Sequence, residues 1–148
     1  MPKLIQRKRT KGWRMPAGTI SITRPGKWGN WIIADSGKPA AISLHIYGDS
    51  DKIIGNLSIS GGFKISKDEA GEWYRRWLIG ESPSSFLPFW RELCFTEQFE
   101  TSTLRSLDRM RHRVILESVE LRNHDLACWC HECEPYCHGN PLLEMANR

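Results

Sequence analysis

Apolar positions along this chain change their period from two to about 3.6, and the changes mark out its elements. In GTISITR, Gly18 to Arg24, Ile20 and Ile22 alternate with Thr19, Ser21 and Thr23, which predicts a strand closed by the turn residues Pro25 and Gly26. AAISLHIY (Ala40 to Tyr47) and KIIGNLSIS (Lys52 to Ser60) are short, β-branched and bounded by Gly, Asp and Ser. They predict two more strands, paired as a hairpin across GDSD. From Ser66 the spacing becomes helical. Ser66 is an N-cap candidate with Glu69 three residues on, Trp73, Trp77 and Leu78 share a face, and Gly80 is a stop.

Pro83 and Pro88 break the next stretch into a loop and a short helix, with Phe86, Phe89 and Trp90 turned inward. Leu104, Leu107, Met110, Val114 and Leu121 then recur at helical spacing and predict a helix from about Ser102 to Leu121. Asn123-His124-Asp125 makes a turn into a short apolar strand, LACWC, and Asn140 followed by Pro141 opens a closing helix. N-terminal strands, then helices, then a late strand–loop–helix unit define an α/β or α+β fold.

A length of 148 residues at 40% hydrophobic fits one domain with its own core. The apolar runs are too short for a membrane span, and the first fifteen residues lack the apolar centre of a secretory signal, so the expected compartment is a reducing cytoplasm. Charge is distributed unevenly. Residues 1 to 34 hold eight Lys and Arg and no acid, so the net +4 of the whole chain leaves the remainder at −4. That asymmetry favours a polyanionic partner at the N-terminal end, with residues 1–7 expected as a flexible basic segment and residues 8–148 as the domain.

The densest chemistry lies in ACWCHECEPYCHGN. Between Cys128 and His138, four of the five cysteines and two of the five histidines fall within eleven positions. On a strand, Cys128 and Cys130 share a face; Cys130 and Cys133 have C-x2-C spacing, and Cys137 and His138 stand where the loop meets a helix. Cys128, Cys130, Cys133, Cys137 and His138 are therefore candidate ligands for a tetrahedral zinc ion, although chain strain keeps neighbours Cys137 and His138 from both ligating. A rival use is catalytic. Helix-terminal amides would depress the pKa of Cys137, with His138 or His124 taking its proton, so Cys128, Cys137 and His138 are the catalytic candidates. A third reading makes these cysteines small buried hydrophobes, as Cys94 is expected to be. The His131-Glu132 pair does not continue as a metalloprotease helix, and no His-x-Glu precedes a Pro-Cys-x-x-Cys.

RKRTKGWRMP and TRPGKWGN each set a tryptophan beside cations and glycine, a combination suited to phosphates and stacked bases. Arg9, Lys11, Trp13, Arg14, Arg24, Lys27, Trp28 and Asn30 are the candidate nucleotide- or nucleic-acid-binding residues, with core packing as the alternative for Trp13 and Trp28 and the expected role of Trp31. Neither a Walker A loop nor a G-x-G-x-x-G occurs.

KRTKGWRMP (Lys8 to Pro16), TRPGKWGN (Thr23 to Asn30) and LRNHDLACWCHECEPYCHGNPLLEMAN (Leu121 to Asn147) together resemble the domain-of-unknown-function family 4326, small proteins of bacteriophages and bacteria. The resemblance spans nearly the whole chain and implies a phage or prophage origin without an established activity. It carries over to Arg9, Lys11, Trp13, Arg14, Arg24, Trp28, Gly29 and Asn30, and to Cys128, Trp129, Cys130, Cys137 and His138. The chain departs from the family at Trp31, where such proteins usually have proline, and in adding His131 and Cys133.

The expectation is a small cytoplasmic protein, in the host cytoplasm if phage-encoded, with one site joining the basic-aromatic segment to the Cys/His loop. Its expected partner is a nucleotide or nucleic acid and its expected cofactor zinc. A non-catalytic nucleic-acid-binding module with structural zinc is the second reading, and a phage protein that engages a host protein is the third.

Overall fold

Two three-stranded sheets of opposite character share the core. The structure is a computed structural model and describes residues 1–24, 26–47, 52–60, 62–130 and 134–148. In chain order its elements are β1 (Leu4–Gln6), β2 (Ile20–Ser21), β3 (Ile32–Ile33), β4 (Ala41–Tyr47), β5 (Ile53–Ser60), α1 (Lys67–Leu78), α2 (Pro83–Phe86), α3 (Trp90–Leu93), α4 (Glu97–Glu117), a 3-10 turn (Ser118–Leu121), β6 (Leu126–Cys128) and α5 (Gly139–Ala146). This is a mixed α/β arrangement, as expected. Among the described residues no helix is long and apolar enough to cross a membrane.

One sheet, ordered β1-β6-β2, is wholly parallel, with Leu4 and Ile20 both in register with Leu126 of the central strand. The other, β3-β4-β5, is antiparallel and contains the expected hairpin, whose GDSD connection lies outside the described residues. Helix α5 packs on β6, α1 on β3 and α4 on β4. Between them lie the buried Trp31, Ile22, Ile42, Tyr74 and Leu142, with Trp31 and Trp77 edge to face at 5.8 Å. Phe86, Phe89, Trp90 and Cys94 are buried as expected.

Ser66 caps α1 through a complete capping box with Glu69, and Gly80 follows the helix at φ +104°, where a side chain would be strained. The buried face of α1 is Ala70, Gly71, Trp73, Tyr74, Trp77 and Leu78, the helical spacing seen in the sequence.

Several boundaries differ from expectation. Leu4–Gln6, expected within a flexible basic segment, forms β1, because Leu4 and the backbone here pair with the buried β6. The first predicted strand narrows to Ile20–Ser21, with one further bond from Ile22 N to Ala127 O before the chain turns at Thr23. Helix α4 starts at Glu97, earlier than the apolar pattern indicates, since Thr96 Oγ1 caps it by accepting from Phe99 N at 3.1 Å. It tightens into the 3-10 turn after Glu117. Asn140 is not the cap of α5: the helix begins at Gly139, and the Asn140 side chain donates instead to Glu134 O at 3.0 Å, holding the preceding loop.

Candidate metal centre and adjoining cleft

All three strands of the parallel sheet run toward the same edge, so their carboxyl ends deliver Gln6, Ser21 and Cys128 side by side. Past that edge the chain leaves β6 through Trp129 and Cys130, and it returns through Glu134 to Cys137 at the start of α5. The strand stops at Cys128, so Cys128 and Cys130 do not meet as alternate strand residues; the loop brings them together. The sulfurs of Cys128, Cys130 and Cys137 lie within 4.8 Å of one another, and those of Cys128 and Cys137 are 3.1 Å apart. Cys128 and Cys137 are buried and Cys130 is half-buried.

Two glycines make this approach possible. An added Cβ at Gly71 of α1 would sit 2.0 Å from the Tyr136 carbonyl oxygen, and one at Gly139 would sit 2.4 Å from Leu4 Cδ2. At Gly71 the obstacle is backbone, so only a residue without a side chain lets the loop lie on α1; at Gly139 the tips of Leu4 and Ile22 would have to give way. A turn bond from Cys137 N to Glu134 O, 3.2 Å, completes the loop's geometry.

Electrostatically the cluster behaves as one unit. Cys130 is lowered far below an ordinary thiol because Cys128 and Cys137 donate to its sulfur, with the Lys67 ammonium adding favourable charge. Cys128 is raised by donating to Cys130, and Cys137 is raised through its bonds to Cys128 and Cys130 together with burial. The shift at Cys137 is thus upward, opposite to the expected depression by helix amides. His124 is remote from Cys137. It lies before the amino end of β6, where its Nδ1 meets Gly18 O at 2.7 Å. His138 Nε2 donates to Ile22 O at 2.9 Å, and its ring, edge-on to Tyr74, is lowered in pKa chiefly by burial and so stays neutral. Of the five expected ligands the structure gathers three sulfurs, commits this nitrogen of His138 elsewhere, and leaves Cys133 outside the described residues.

A cleft of about 470 Å³ opens beside the sulfurs. The N-terminal signature contributes Thr23, Arg24 and Asn30, α1 contributes Lys67 and Gly71, and the late loop contributes Trp129, Glu134, Tyr136 and His138. Of the expected nucleotide- or nucleic-acid-binding residues, Arg24 and Asn30 line this cleft. Arg24 Nη1 donates to Asn30 O at 2.9 Å, and burial lowers the guanidinium while the nearby Cys130 charge opposes that. Asn30 is a brace: its amide donates to Ala70 O at 3.1 Å and accepts from Ile32 N at 2.9 Å.

Other candidates lie elsewhere. Lys27 pairs with Glu117 and Glu120 and stands 4.7 Å from the centre of the Trp28 ring, which is itself buried in the core. Arg9, Lys11 and Arg14 are exposed and Trp13 half-buried, all outside the cleft lining. Lys67, Gly71, Glu134 and Tyr136 carried no expectation. Gly71 had one legible signal, a glycine inside an otherwise well-formed helix.

These features define a class: a small mixed α/β protein whose parallel strands end at a cluster of three thiols beside a cleft lined in part by Arg24 and Lys67. The chain belongs to the family described as Domain of unknown function (DUF4326), whose model matches residues 5–148. No curated protein and no solved structure matches it.

Proposed function

We propose that this chain binds a nucleotide or nucleic acid in the cleft, beside a zinc ion held by Cys128, Cys130 and Cys137. One observation carries the reading: Arg24 and Lys67 line the same cleft as Cys128 and Cys130, at the carboxyl ends of parallel strands, where α/β proteins usually place ligands. The sulfurs suit zinc in kind and spacing. Thiolates select it among common ions, and a tetrahedral ion at about 2.3 Å from each sulfur needs them roughly 3.8 Å apart. The observed separations, from 3.1 Å up to the 4.8 Å limit, bracket that value. Such a cluster persists in a reducing cytoplasm, the host's if the chain is phage-encoded.

Three protein ligands leave the fourth position to a water or to the cleft's occupant, the arrangement of a catalytic site. Closure by Cys133 would instead give a structural zinc and a binding module, the second reading, for which the C-x2-C spacing speaks. In both, Arg24 and Lys67 hold phosphate.

The test pairs elemental analysis of protein purified without chelator with titration of nucleoside phosphates. We expect about one zinc per chain, absent in Cys128→Ser. Arg24→Ala and Lys67→Ala should each weaken nucleotide binding by on the order of tenfold with zinc retained, the loss of one charge-assisted contact. No metal with five free thiols, or affinity indifferent to both cations, overturns the reading.

A further inference from the structure

We propose that the occupant is single-stranded nucleic acid, with one nucleotide seated in the cleft and its neighbours running over Trp129 along the N-terminal segment. The proposal rests on the nucleotide reading above and names its substrate class. Three observations carry it.

Size is the first. A cleft of about 470 Å³ takes one small-molecule-sized unit, so a longer ligand must continue outside. The second is what lies at its edge. Trp129, a lining residue, is 44% exposed although adjoining Cys128 is buried. The guanidinium of Arg7 lies 4.6 Å from its ring centre and that of Arg9 4.8 Å. Arg7 is held in place from β2, donating to Ser21 Oγ at 3.2 Å and Thr23 Oγ1 at 2.9 Å. An exposed indole with two guanidinium groups near its ring offers the kinds of group on which unpaired bases stack. Continuity of charge is the third. Lys8, Arg9, Lys11 and Arg14 are exposed, and among the described residues none of them forms an ion pair. Unneutralised cations that continue from a stacking platform match a phosphate backbone. A duplex fits less well, because its bases reach a one-unit cleft only by extrusion.

The experiment uses the full chain with its metal as isolated. Fluorescence anisotropy would follow labelled mixed-sequence DNA and RNA oligonucleotides, single-stranded and duplex, over a salt series, with nucleoside monophosphates titrated calorimetrically in parallel. Affinity should rise with strand length beyond the mononucleotide. Three phosphate contacts predict roughly a twentyfold loss between 50 and 200 mM salt. Combining Arg9→Ala, Lys11→Ala and Arg14→Ala should weaken oligonucleotides at least about tenfold more than mononucleotides. Trp129→Ala should do the same, with Trp129→Phe recovering part of the loss through its aromatic face. Mononucleotides bound as tightly as oligonucleotides, independently of salt, would overturn the proposal while leaving the cleft reading intact. Preference for duplex would also overturn it. Failure of every nucleotide and oligonucleotide to bind would remove both.

Discussion

The two sheets contain the same number of strands, yet they are built by opposite means. In β3-β4-β5 the strands are consecutive in sequence, and the two hairpin strands, seven and eight residues long, are recognisable from their β-branched content and the turn residues that bound them. In β1-β6-β2 the strands are two or three residues long, and the central one comes from more than a hundred residues downstream of its neighbours. The antiparallel sheet forms from local pairing; the parallel sheet forms only when the ends of the chain meet, and its central strand ends at Cys128 of the thiol cluster. The difference teaches that the site and the most legible secondary structure occupy separate parts of the fold.

The sharpest way to break this comparison is Leu126→Ala, which empties a fully buried position at the centre of the parallel sheet. A loss of about 2–5 kcal/mol is expected, read by chemical denaturation and accompanied by loss of bound metal. A cost under half of that range would mean that β6 contributes less than its burial implies. Gly71→Ala should come next. Its methyl would meet the Tyr136 carbonyl, so the expected cost is about 1–3 kcal/mol, against the small gain alanine brings to an exposed helix. Circular dichroism should be unchanged while the zinc proposed at the three thiols is bound less; full metal retention would show that the loop has room the structure does not grant it. The smallest effect belongs to the hairpin. Ile54→Ser, at a position 70% exposed, should fall within about 0.5 kcal/mol of wild type. A large destabilisation there would mean that the outer face of β5 is covered in solution, and the contrast between the sheets would lapse.

Legibility followed the same division. The capping box at Ser66, the stripe through Trp73 and Trp77, and the hairpin were readable because their determinants lie within a few residues of one another. Helix α4 was found but started late, since its first turn is set by the Thr96 cap and not by apolar spacing. β1 was hidden under its charge. Leu4 and Ile5 sit among lysines and arginines, and only pairing with β6 makes them a strand. At the site, Cys128, Cys130 and Cys137 stood out by density, and Arg24 and Asn30 by their place in a signature block. Lys67, Glu134 and Tyr136 did not, because a lysine, a glutamate and a tyrosine have no rare spacing to announce them.

By itself, then, the sequence determined the mixed fold class, the existence and kind of its longer elements, a dense group of thiols near one end and a basic excess at the other. These are properties of neighbours along the chain, set by side-chain period, capping and composition. Tertiary structure decided that three thiols meet within a few ångströms, that Trp28 and Lys27 are occupied in packing and ion pairs, and that Arg24, Lys67, Cys128 and Cys130 line one cleft. Burial, hydrogen bonding and charge act through space over a few ångströms, and segments as far apart as Arg24 and Cys137 reach that range only after the parallel sheet has closed.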